Sequence, residues 1–228
     1  MINLILAGIV FVVMHVLISG TERRDAWVAR LGEKGFQGVF SLLSVLVIVW
    51  VVRAYRGAPY IPIWHPPHAL RWLTFLLMIV AFLFVVIGLT TPSPTAVGGE
   101  ARLEGPEPAT GILRVTRHPF LWGVVIWATA HLLANGDAAS MVLFLTFLVL
   151  AHIGPRSIDA KRARRCGEKW ERFAAVTSNA PFAAIIAGRN HLSLAEIGWW
   201  RIVLALVLCG AIFGHHQMIF GVSPVPWK

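Results

Sequence analysis

Apolar residues along this chain come in long runs separated by short polar and basic stretches. Six runs reach or approach the roughly 17 to 20 residues that a helix, rising about 1.5 Å per residue, needs to cross a bilayer core. They cover residues 4–19, 36–55, 70–89, 119–134, 138–154 and 199–220. The fourth and fifth are joined only by Asn135, Gly136 and Asp137, which predicts a tight antiparallel hairpin. The stretch 181–188 is apolar but too short to cross, and residues 170–173 alternate charge with aromatic as an interfacial helix does. Prolines 92, 94, 106 and 108, with Gly98, Gly99 and Gly105, mark residues 90–113 as an irregular loop.

Composition agrees with that pattern. The 228 residues are 57% hydrophobic and 14% charged, with a mean hydropathy of +0.71, more apolar surface than one globular core of this length could hide. The expected fold class is therefore all-α and membrane-integral: a bundle of about six transmembrane helices in a single domain over residues 1–228, with a short interfacial or re-entrant segment. No Lys or Arg precedes the first run and no small-x-small cleavage pattern follows it, so it reads as a retained helix rather than a secretory signal.

The net charge of +9 does not point to nucleic acid, because the basic residues sit between apolar runs and build no extended patch with aromatics interleaved. Their distribution sets orientation instead. The first, third and fifth loops hold most of the Lys and Arg, including Arg23, Arg24, Arg102, Arg114, Arg117 and the basic stretch 156–172, whereas the opposite side has Arg53, Arg56, Arg71 and Lys228. This predicts a bacterial-type cytoplasmic (inner) membrane protein with three basic loops inside and both termini outside. Trp64, Trp72, Trp199, Trp200 and Trp227 fall near span ends, where an aromatic belt would place them. Cys166 lies in a basic loop and Cys209 in an apolar run, so no disulfide is expected between them. There is no CxxCH motif either, which leaves any haem without thioether links.

Ionisable side chains within hydrocarbon are expensive and point to function or to a satisfied partner. Here they are histidines: His15, His131, His152, and the adjacent His215 and His216, with no Asp, Glu or Lys sharing their spans. Neutral imidazole in apolar surroundings suits haem iron or another transition metal; the plainer reading is a hydrogen bond to a neighbouring helix that fixes packing. His65 and His68 lie in a Pro-rich loop and should be solvated. The most patterned stretch is RVTRHPFLWGVVIWATAH, residues 114–131. Its Pro119 suits the first turn of a helix, and Arg117 and His118 sit at the rim, where a helix N-terminus beside an arginine favours an anionic group: a haem propionate, a phosphate or a carboxylate.

That block, with MHVLIS near the start, TPSPTAVGG in the third loop and TSNAPFAAIIAGR after the fifth span, resembles the NnrU family over nearly the whole chain. The family includes membrane proteins found with bacterial denitrification functions and a plant branch, the 15-cis-zeta-carotene isomerases. The resemblance implies a helical membrane protein that binds haem b through histidines and isomerises a cis double bond of a lipophilic, carotenoid-like substrate. It carries metal ligation onto His15 and His131, with His152 in reserve, and cofactor binding onto Arg117 and His118. Upright spans would leave His15 and His131 roughly 10 Å apart in depth. The RHP-x-x-x-G pattern at 117–123 and GEKWERF at 167–173 are also similar to isoprenylcysteine and phospholipid methyltransferases, which bind S-adenosylmethionine at that edge. Those enzymes usually carry paired acids in the basic stretch; here Asp159 stands alone. A third expectation is a non-catalytic membrane factor supporting nitrite or nitric oxide metabolism. Expected partners are the bilayer and a lipophilic small molecule, not nucleic acid, and the oligomeric state is left open.

Overall fold

A computed structural model describes residues 1–18 and 22–226, with the Glu22 side chain excepted. Ser19, Trp227 and Lys228, which carried parts of the expected first span, aromatic belt and charge bias, lie outside the described residues. In chain order the helices are α1 (Ile2–Leu17), α2 (Glu22–Arg56), α3 (His68–Thr90), α4 (Ile112–Val115), α5 (Pro119–Ala134), α6 (Ala138–Cys166), α7 (Glu168–Val176), α8 (Ala183–Ile186), α9 (Leu194–Ile197) and α10 (Trp199–Phe220). Among the described residues, four helices are long and apolar enough to cross a membrane, namely α2 from Arg23 on, α3, α6 and α10, and the shorter α1 and α5 are apolar too. A multi-pass membrane bundle fits this set, as the apolar runs predict. Cys166 and Cys209 are both free thiols.

The six long helices pack in the order α2, α1, α6, α5, α3, α10, each chiefly against its neighbours in that row. Lipid takes the place of a central core over much of this surface, which is why Leu46, Leu76 and Val207 are more than half exposed at 55%, 57% and 60%. Contact depends on small residues where backbones approach closely. A Cβ on Gly88 of α3 would meet the Phe120 backbone nitrogen at 2.7 Å, and one on Gly123 of α5 would meet the Val85 backbone nitrogen at 2.8 Å. The row's other end is apolar packing: Leu4, Ala7 and Phe11 of α1 with Val51 and Ala54 of α2 and Ala139 of α6.

The α5–α6 hairpin turns at residues 135–137 as expected, and the loop before α3 clamps it. Ile63 and Trp64 donate their backbone N–H groups to the Gly136 carbonyl at 2.7 and 3.1 Å, and Ala138 donates to the Ile61 carbonyl at 2.9 Å. Asp137 caps α6 by accepting from the Ser140 N–H at 2.9 Å.

Two helices outrun their apolar stretches. The α6 helix does not stop at residue 154 but passes through Pro155 to Cys166, about 18 Å further at 1.5 Å per residue. Arg, Lys and Ala are strong helix formers, so the change from apolar to basic marks the membrane boundary and not the helix end. The α2 helix likewise begins at Glu22, and Gly32 breaks its helical backbone at φ 72° and ψ 164° before the apolar part, a conformation open to glycine at little cost. Of the expected loop 90–113, residues 91–111 are irregular, with one 3-10 turn at Glu100–Glu104, while Thr90 ends α3 and Ile112 opens α4.

The close approach of α3 and α5 gives a direct expectation. Gly123→Val overpacks that contact and should destabilise the protein by about 1–3 kcal/mol, whereas Gly210→Ala, with nothing within 4 Å of its Cβ, should hold or raise the unfolding temperature measured in detergent.

Candidate functional site

Pro119 starts α5, Thr116 before it is extended, and the side chains of Arg117 and His118 reach the basic end of α6. Arg117 donates from Nε and Nη2 to Oδ2 of Asp159 at 2.9 and 2.6 Å. His118 Nε2 bonds the other carboxylate oxygen at 2.7 Å, and its side chain is only 1% exposed. The anion expected at this helix start is thus a carboxylate of the chain itself. The signal for Asp159 in the sequence is its isolation, since no other acid lies between Asp137 and Glu168.

Three further segments close around this cluster. Thr95 Oγ1 donates to the Arg117 carbonyl at 2.9 Å, and the Arg117 N–H donates to the Ser178 carbonyl at 3.0 Å. Thr116 Oγ1 donates to the Asn179 carbonyl at 2.6 Å, and Trp122 Nε1 reaches Asn179 Oδ1 at 3.3 Å. The Arg117 guanidinium lies 5.9 Å from the Trp170 ring centre. TPSPT, TRHP, Asp159, the GEKW block and TSNA, far apart in sequence, meet at one place.

A buried arginine lies three residues before Arg117 in the chain. Arg114, 5% exposed, donates from Nε and Nη2 to Glu196 at 2.8 and 3.0 Å, from Nη1 to Asn190 Oδ1 at 2.8 Å and from Nη2 to Glu107 at 2.6 Å. The hydrogen bond from Arg114 holds the Glu196 carboxyl down at about 2, assisted by the Gly111 N–H. This hub fastens α9 to the loop before α5, and neither carboxylate partner was legible from the sequence.

The intramembrane histidines lie elsewhere. His15 Nδ1 faces the Phe11 carbonyl at 2.8 Å and His131 Nδ1 faces the Trp127 carbonyl at 2.9 Å, each four residues earlier. With the proton on Nδ1, the lone pair falls on Nε2, as in metal-ligating histidines whose second nitrogen bonds a carbonyl. The donor chemistry of each ring therefore fits an iron ligand. The two rings do not converge, however. Phe147 of α6 touches Phe11 at 5.3 Å and Trp127 at 5.6 Å between ring centres, and His15 and His131 follow those residues by one turn on helices running in opposite directions. They thus sit on opposite sides of Phe147, about two turns or 11 Å of rise apart, too far to share one iron in this packing. His131 also stacks on Phe144 at 4.6 Å. His152 is exposed on α6, as are His65 in its loop and His68, which opens α3 instead of lying in the loop. His215 bonds the Ala211 carbonyl at 2.9 Å, and His216 the Val222 carbonyl at 2.8 Å. Among the described residues no group of three or more His, Cys, Asp or Glu could hold a metal ion.

Comparison with known proteins places this architecture. Residues 3–224 match the family described as NnrU protein, and the chain belongs to that family. It is similar to the chloroplastic 15-cis-zeta-carotene isomerases of Zea mays, 26% identical over 98% of this chain and 62% of the relative, and of Arabidopsis thaliana, 27% identical over 92% of this chain and 58% of the relative. The chain spans about three fifths of the length of these curated relatives. No solved structure matches it significantly.

Two outcomes are expected. Asp159→Ala strands Arg117 and His118 in a largely buried place and should cost about 3 kcal/mol in unfolding experiments, with Asp159→Asn costing less. Glu196, whose carboxyl is depressed when folded from an ordinary 4.5 to about 2, stabilises above 4.5 and loses that contribution as pH falls through the folded value. The unfolding temperature of the parent protein should therefore drop between about pH 4.5 and 2 relative to Glu196→Gln, and parallel curves would contradict the pairing.

Proposed function

We propose that this chain is an isomerase-like membrane protein acting on a cis double bond of a lipophilic, carotenoid-like polyene. The observation that carries the reading is its match, along nearly its whole length, to proteins named as 15-cis-zeta-carotene isomerases. The geometry is compatible with such a substrate: Phe11, Phe147 and Trp127 form a run of ring contacts across α1, α6 and α5, within helices whose outer faces are open to lipid. Aromatic faces of this kind suit a flat conjugated chain.

Haem b is the proposed cofactor, held by His15 or His131 through Nε2, and when bound it supplies reversible one-electron chemistry in an apolar setting. Phe11 and Trp127 carry the carbonyls that orient those two imidazoles. Arg117 and His118, tied to Asp159, hold the rim of α5 and so fix the helix bearing His131.

The test is expression in cells that accumulate the cis polyene, with chromatographic separation of isomers and an absorption spectrum of the purified protein. Expected are conversion to the trans product and a Soret band that shifts in His131→Ala or His15→Ala. A purified, haem-supplied protein without a Soret band removes the cofactor assignment, and unchanged isomer ratios remove the activity, leaving the supporting role in nitrite or nitric oxide metabolism.

A second reading is favoured by one contact, Arg117 over Trp170, which joins the RHP stretch at the start of α5 to the GEKW block. It makes Arg117 and His118 part of an S-adenosylmethionine site. Calorimetric titration with that cofactor decides it: saturable heat that His118→Ala abolishes favours it, and no heat excludes it.

A further inference from the structure

We infer that the basic ledge formed by the start of α2 and the end of α6 binds the phosphate of an anionic phospholipid headgroup. The ledge is distinct from the Asp159 cluster and independent of the isomerase reading. It is built where α2 breaks at Gly32, so that the segment from Arg23 to Leu31 leaves the line of the apolar helix that follows.

Arg24 is buried and anchors the ledge. Its guanidinium lies 5.2 Å from the Phe36 ring centre, pairs with Glu33 and approaches Asp25 at 3.4 Å. Asp25 in turn pairs with Arg165 of α6 at 3.0 Å, which ties the two segments together. Arg162 pairs with Glu100 and reaches the Ala96 carbonyl. Each of these carboxylates is therefore already engaged by an arginine.

Lys161 is left over. It is half-buried, lies within electrostatic range of Arg24 and Arg165 and, more weakly, of the already paired Glu33 and Asp25, and makes no hydrogen bond or ion pair among the described residues. Arg162 Nε is buried there without a hydrogen-bond partner. A crowd of cations with one ammonium and one guanidinium nitrogen unsatisfied is complementary to a dianionic or monoanionic phosphate, which accepts several charge-assisted hydrogen bonds.

Location selects the lipid over a soluble anion. The ledge sits where the apolar run of α2 begins, at the depth of the headgroups. The same segment exposes Trp27 and Leu31 at 51% and 43%, an amphipathic pairing that inserts at the interface beside basic residues. A free phosphate has nothing to offer Trp27 or Leu31, whereas acyl chains and glycerol backbone do.

The experiment is native mass spectrometry of the full chain released from nanodiscs containing equal phosphatidylglycerol and phosphatidylcholine. The parent should retain phosphatidylglycerol preferentially. Lys161→Gln combined with Arg165→Gln should cut that retention roughly thirtyfold, since two cations near an anionic surface count for about 1 kcal/mol each. Arg53→Gln with Arg56→Gln, the same charge change at the other end of α2, should leave it unchanged. If the Lys161 and Arg165 double variant does not fold, Lys161→Gln alone is read in the same way. Equal retention of the two lipids by the parent, or undiminished phosphatidylglycerol in the Lys161 variants, overturns the site. A thermal-shift titration of lipid-stripped protein separates the sources: dihexanoyl phosphatidylglycerol should stabilise at lower concentration than inorganic phosphate, and equal potency overturns the assignment to lipid.

Discussion

The carboxylate of Asp159 is the interaction on which the basic end of this bundle depends. It takes two hydrogen bonds from Arg117 and one from His118, 42 and 41 residues earlier in the chain. Without it, two cationic or polar side chains at the start of α5 would be desolvated with no partner, a situation that costs more than the pair contributes when formed. With it, the start of α5 is fixed to the extension of α6, and the loops bearing Thr95, Ser178 and Asn179, with Trp170 of α7, settle against that fixed point. The direction of α5, and so the place of His131, follows.

This arrangement explains why α6 continues past the membrane. The apolar part of the helix ends near Pro155, yet the rest of α6 must reach far enough to present Asp159 to α5 on one side and Lys161 to Arg165 to the start of α2 on the other. The two sides differ in character. Around Asp159 the cations are matched by an acid and by carbonyls, which makes a rigid rim. Around Lys161 they outnumber their partners, which leaves a surface suited to a negatively charged neighbour from the membrane. One helical extension thus carries both a closed polar network and an open one.

Much of the architecture was legible in the sequence because lipid imposes a simple rule: long apolar runs must be helices. The bounds of α5 and α10 and the turn at Asn135 to Asp137 follow from it directly. Helix ends beyond the apolar runs were hidden, since residues 22–35 and 155–166 read as basic loop, and neither charge nor Pro155 forbids helix there. The candidate site was half legible. Arg117 and His118 stood out through the RHP pattern, but their partner is identified by proximity in space, which no spacing rule supplies. The role of Arg114 as a saturated hub was hidden for the same reason. For His15 and His131, residue type suggested ligation, and the packing adds the back-bonded carbonyls and the intervening Phe147 that set their separation.

Segments distant in sequence meet at Asp159, and a double-mutant cycle across that contact measures the meeting. Unfolding free energies in detergent for His118→Ala, Asp159→Ala and the double variant should show a coupling energy of about 1–3 kcal/mol, as for residues in one hydrogen-bonded network. Effects that simply add, within about 0.5 kcal/mol, would mean that the two side chains do not meet and would contradict the arrangement described.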